Sequence, residues 1–112
     1  MKTITVNGVT YVQQQPETSD YVIVRTYSAG VHFGIVTKRE GKEVTLKNSR
    51  RIWYWDGAAS LSQIALEGVK KPDNCKFAVA LPEILLLEAI EIIPCTAAAR
   101  DNILAVKEWK AE

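Results

Sequence analysis

Apolar and polar residues alternate along most of this chain, and a period of two is the mark of strands with one buried face. Residues 3–6 and 9–12 alternate on either side of Asn7-Gly8. Asn-Gly accepts the positive φ angles of a type I′ turn, so an N-terminal hairpin is expected over residues 2–13. Residues 13–20 are polar, carry Pro16 and read as a loop. Residues 21–27, rich in β-branched and aromatic side chains, predict a strand. Ser28-Ala29-Gly30 turns the chain and residues 31–37 return as its partner, with Gly34 marking a bulge or a close backbone approach. Glu40-Gly41-Lys42 is the next turn. Residues 44–47 and 51–55 are two short strands or one long bent one.

The period then changes. Ser60-Leu61-Ser62-Gln63 fits a capping box, Leu61, Ile64 and Ala65 have helical spacing, and Gly68 stops a helix of about two turns. Residues 70–74 read as a loop and 76–81 as a strand broken by Pro82-Glu83. Residues 86–93 read as a buried strand ending at Pro94. Thr96 caps a second helix over 97–104, and residues 106–110 alternate as a closing strand. Many short strands with frequent turns predict an α+β domain: a small, strongly curved antiparallel sheet or SH3-like partial barrel with one or two short helices. The expected organisation is one domain over 1–112, with the hairpin at 2–13 and the core sheet and helix at 20–110.

Composition narrows the function. The chain has 112 residues, 47% hydrophobic and 24% charged, which is globular and sized for one core. A net charge of +1 leaves no basic field for strong nucleic-acid binding. Cys75 and Cys95 lack zinc-ligand spacing and read as reduced, half-buried thiols. The N-terminus has no apolar signal-peptide core, and apolar runs such as 84–87 are far too short for a bilayer, so the cytoplasm is the expected compartment. No cofactor is implied.

Catalytic chemistry finds little anchor. His32 lies between Val31 and Phe33, so if those two are core it faces solvent, inert or as a general base. Nucleophile elbows, zinc-protease motifs and phosphate-binding glycine loops are missing from the sequence. Asp56, Glu67, Asp73 and Asp101 are scattered.

One segment stands apart: Arg50-Arg51-Ile52-Trp53-Tyr54-Trp55-Asp56-Gly57-Ala58-Ala59-Ser60. On a strand, Arg51, Trp53 and Trp55 share one face, and Arg50, Ile52 and Tyr54 the other. A guanidinium beside two indoles suits a planar anion, because indoles stack on bases and arginine grips phosphate. Gly57, Ala58 and Ser60 lead into a helix start whose amides favour anions, although Ser60 has a competing use as the cap. The candidate ligand-binding residues are therefore Arg50, Arg51, Trp53, Trp55, Gly57, Ala58 and Ser60. Arg25 joins them as a cation in the middle of an apolar strand. The same residues also fit plain packing, with the indoles in the core and Arg51 snorkelling from a strand edge. Lys70-Lys71 reads as a solvated loop that would extend a phosphate site.

Residues 26–34, TYSAGVHFG, and 50–62, RRIWYWDGAASLS, resemble a family of small uncharacterised phage and prophage proteins. The likeness continues through Asn74-Cys75-Lys76-Phe77 and residues 88–94 and covers roughly 20–110. The resemblance implies a viral or prophage origin and carries no catalytic residues across. It directs the functional expectation to a non-catalytic counter-defence factor in the host cytoplasm, which sequesters a nucleotide-like ligand or docks on a host defence protein. A virion accessory protein and a small nucleotide-acting enzyme are the alternatives. Open strand edges favour homo-oligomers in each case.

Overall fold

A computed structural model describes the backbone of residues 2–6 and 9–13 and, with side chains, residues 17–111. β1 (Lys2–Val6) and β2 (Val9–Gln13) pair antiparallel from Lys2 opposite Gln13 to Val6 opposite Val9, as the hairpin pattern predicts. The expected Asn7-Gly8 turn lies outside the described residues, as do residues 14–16 of the expected loop.

The main sheet is built from β3 (Thr18–Thr26), β4 (Val31–Glu40), β5 (Glu43–Tyr54), β6 (Lys76–Phe77), β7 (Leu81–Leu86) and β8 (Ala89–Thr96). Every pairing between these strands is antiparallel. The order is β6-β5-β4-β3-β8, with β7 also on β5. Two short helices, α1 (Leu61–Glu67) and α2 (Ala97–Ala105), complete an α+β fold whose sheet does not close. β7 and β8 lie at opposite edges, yet only Leu87 and Glu88 join them. The sheet must therefore curl until its edges meet at that end.

Curling buries both faces of the sheet. On one face Ile23, Phe33, Ile52 and Phe77 pack under Ile64 and Ala65 of α1 and Ala99 and Ile103 of α2. Tyr21 stacks on Phe33 there with ring centroids 4.6 Å apart. On the other, Val24, Val44, Leu46 and Leu86 form a second cluster with Val36, Ile84, Ala89 and Ile92. The hydrophobic effect so acts on successive residues of one strand: Ile23 and Val24 are both fully buried, on opposite faces.

The expected bulge falls at Gly34, where the β4–β5 register slips between Phe33 and Ile35. A Cβ there would meet the Lys47 carbonyl oxygen at 3.0 Å. The two expected segments are one strand, β5, which ends at Tyr54 and leaves Trp55 just beyond it; it bends where Asn48 takes a positive φ of 52°.

Ser60 caps α1 by accepting from the Gln63 amide at 3.2 Å. Gln63 reaches back to the Ala59 amide, one residue further than an ideal capping box. Thr96 caps α2 through the Ala99 amide and donates to the Leu66 carbonyl at 2.7 Å, tying the helices together. Asn102 pins the turn after α1 by bonding both the amide and the carbonyl of Val69.

Four expectations need correction. Residues 18–20 belong to β3 and not to a loop, since Thr18 pairs with Thr96. Pro82 lies inside β7 and Pro94 inside β8; both strands are edges, where a missing amide breaks no ladder. The strand expected over 76–81 is only Lys76–Phe77, and the one expected over 86–93 is split by the turn at Leu87 and Glu88. Residues 106–110 form no strand; the segment is held by a single parallel bridge, Phe77 with Glu108, and by the Trp109 amide on the Phe77 carbonyl at 2.9 Å. Among the described residues no helix is long and apolar enough to cross a membrane.

Candidate functional site

The β4–β5 register sets Val31 against Ile52 and His32 against Arg51. This brings the turn between β3 and β4 alongside the end of β5. Between them lies an open hollow of about 410 Å³, lined by Ser28, Ala29, Gly30, Val31, Arg51, Ile52, Trp53 and Trp55. The three residues singled out for one face of β5 are thus gathered around one solvent-reached concavity. Trp53 is 63% exposed. Trp55 is half-buried against the helix-side core and donates from Nε1 to the Ala58 carbonyl at 3.3 Å, which fixes its ring. Among the described residues no carboxylate lies within ion-pairing distance of Arg51.

The turn that forms the opposite wall is held from beneath. Thr26 accepts from the Ala29 amide and donates to the Gly30 carbonyl at 2.7 Å. Gly30 takes a φ of 83°, the left-handed region that glycine enters without cost. His32 bonds the Ala29 carbonyl through Nε2 at 2.9 Å. A carbonyl only accepts, so Nε2 carries the proton and Nδ1 is left as an acceptor. That atom is buried and has no partner among the described residues, as is true of Ser49 Oγ.

The expectation that His32 faces solvent is therefore wrong. It is 1% exposed, because the face opposite Phe33 is not open but folded inside the curl. Burial holds its pKa below the ordinary value, the Ala29 hydrogen bond opposes this, and the Arg51 charge adds to the lowering. Its role is to position the wall of the hollow.

Arg50 also departs from the ligand set. It is 3% exposed and its guanidinium is fully engaged with backbone. Nε donates to the Ala78 carbonyl at 3.0 Å, Nη1 to Ile103 at 2.8 Å and Nη2 to Phe77 at 3.1 Å, while the cation lies 5.6 Å from the Phe77 ring centre. It ties β5 to α2 and to the stretch after β6. Burial lowers its pKa and the charge of Glu108 opposes the shift.

Other expected members are likewise occupied by structure. Gly57 has a φ of 87° and lies so close to the backbone of Lys70 and Lys71 that a side chain would collide with it. Its carbonyl accepts from the Lys70 amide at 3.0 Å. The Ala58 carbonyl serves Trp55 and the Ser60 hydroxyl serves the helix cap. Arg25 pairs with Glu91 at 2.7 Å across β3 and β8 and does not line the hollow, although it sits opposite Val31, which does. The site reduces to Arg51, Trp53 and Trp55 facing the Ser28–Gly30 wall.

Sequence reading missed two neighbours. The 28–30 wall was legible only as a turn, because its place opposite Arg51 depends on register. Trp109, in the segment read as a closing strand, packs nearly parallel to Trp53, with 14° between planes and 6.5 Å between centroids.

The fold and site define an α+β domain with an open, curled antiparallel sheet and an aromatic hollow holding one unpaired guanidinium among the described residues. The chain belongs to the family described as a domain of unknown function, DUF6948, whose model matches residues 19–103. No curated protein and no solved structure matched the chain.

Proposed function

We propose that this protein is a non-catalytic binding protein whose hollow takes a small, planar, anionic ligand of the nucleotide class. The observation that carries the reading is the convergence of Arg51, Trp53 and Trp55 on one concavity. The indoles offer stacking faces and the guanidinium an anion grip. A volume of about 410 Å³ falls in the range of small-molecule sites. A binding role fits better than catalysis, since the chain's single histidine is buried and engaged with Ala29. The likeness to phage and prophage proteins supports a setting inside an infected cell, where holding a nucleotide immune signal would disarm host defence.

A thermal-shift screen of linear and cyclic nucleotides, followed by calorimetry, tests the reading. Saturable binding supports it, and no binding across the panel removes it.

A second reading, docking or self-assembly through a strand edge, is favoured by a separate observation. Leu85, Leu87 and Ile90 are exposed around the link between edge strands β7 and β8. Such edges invite pairing with another chain. Sedimentation of the purified protein, pull-downs from host lysate and mass spectrometry of phage particles separate a self-assembling protein, a docking factor and a virion accessory.

A further inference from the structure

A second hollow, of about 300 Å³, lies at the C-terminal segment and is lined by Pro72, Asp73, Cys75, Lys107, Glu108, Trp109 and Lys110. It is linked to the first by the pair Trp53–Trp109: Trp53 lines one hollow, Trp109 the other, and the two rings are nearly parallel. Trp109 remains 50% exposed. Lys76 Nζ lies over its ring, 5.3 Å from the centre, so the indole carries a cation on its face.

Charge favours an anion along this line. Arg51 serves the first hollow, and Lys76, Lys107 and Lys110 surround Trp109. Asp73 and Glu108 offset two of these three lysines, which leaves a small net positive charge around Trp109. Two concavities share an aromatic pair, and each has its own indole and its own cation.

Resting on the nucleotide reading of the first hollow, we infer that the ligand has two nucleotide units, one stacked at Trp53 and Trp55 and the other at Trp109, with phosphate charge held by Arg51 in the first hollow and by Lys76, Lys107 and Lys110 around Trp109. A dinucleotide engages both platforms, whereas a mononucleotide engages one. Each stacked base adds affinity independently of its sequence, because every base has a π-face.

All three tryptophans of the chain belong to this surface, so intrinsic fluorescence reports occupancy directly. The experiment compares adenosine monophosphate with linear diadenylate by fluorescence and calorimetry, on the wild type, Trp109→Ala and Lys107→Gln/Lys110→Gln. The inference expects diadenylate to bind wild type at least tenfold more tightly than the monophosphate. Trp109→Ala should erase that gain while the monophosphate still binds, and the double lysine variant should reduce the gain. If the monophosphate binds and diadenylate binds no better, the second platform is overturned while the first hollow stands. Equal weakening of both ligands by Trp109→Ala overturns it as well. If neither ligand binds, both readings fall together.

Discussion

Arg50 and Arg51 are adjacent in sequence and point to opposite faces of β5, and their surroundings give them opposite work. The Arg50 guanidinium is buried on three carbonyls, those of Ala78, Ile103 and Phe77. Arg51 is exposed at the edge of the hollow. Replacing Arg50 by Met leaves those carbonyls without a charged donor, and a hydrogen bond to a charged group is worth about 1.5–3 kcal/mol. Urea denaturation of Arg50→Met should show a loss of roughly 3 kcal/mol or more. Arg51→Gln should stay within about 0.5 kcal/mol of wild type, as surface changes usually do.

Acid should weaken the fold through His32. Burial depresses its pKa in the folded state below 6.5, with Arg51 adding to the effect. The unfolded chain therefore binds this proton more readily than the folded one. The contribution is fully present above pH 6.5 and is lost as pH falls through the window below it, towards the depressed folded value. Denaturation midpoints measured from pH 7.5 down to 5 should fall for wild type and change less for His32→Gln.

The two thiols should differ sharply in reactivity. Both are free; Cys95 is buried and its pKa is pushed up to about 12 by burial, whereas Cys75 is half-buried. Thiolate is the reactive form. Mass spectrometry after alkylation of the native protein should find label at Cys75 only, with Cys95 labelled once denaturant is added.

Gly57→Ala should destabilise by about 1–3 kcal/mol, since the position combines a left-handed φ with backbone contact on Lys70 and Lys71. Circular-dichroism melting measures this. An unchanged melting temperature would mean that the 56–71 stretch is not packed as described.

The elements set by local chemistry were legible in the sequence. Asn7-Gly8 announced the hairpin of β1 and β2, Ser60 and Thr96 announced the two helix starts, and Gly34 announced the bulge. Properties that depend on the second face of the sheet were not legible. A period-two pattern assigns one face to core and the other to water, but the curl places Val24 inside a second cluster and buries His32, which sits opposite it. Edge position likewise decides that Pro82 and Pro94 are tolerated within strands, and nothing local to either proline reveals an edge. The candidate site was half legible. Alternation placed Arg51 and Trp53 together correctly, but it could not show that Arg50 would be used for tertiary bonding. Nor could it place Trp109 and the 28–30 turn beside the indoles.

In the proposed function Arg51, Trp53 and Trp55 hold one ligand in one hollow. The most direct measurement is the ¹H–¹⁵N spectrum of the indole groups during titration with a nucleotide ligand. The Trp53 and Trp55 indole resonances should shift together with a single dissociation constant, and Arg51→Gln should weaken it at least tenfold without altering the spectrum of the free protein. Indole resonances that stay in place while ligand binds, or an affinity indifferent to Arg51→Gln, would contradict it.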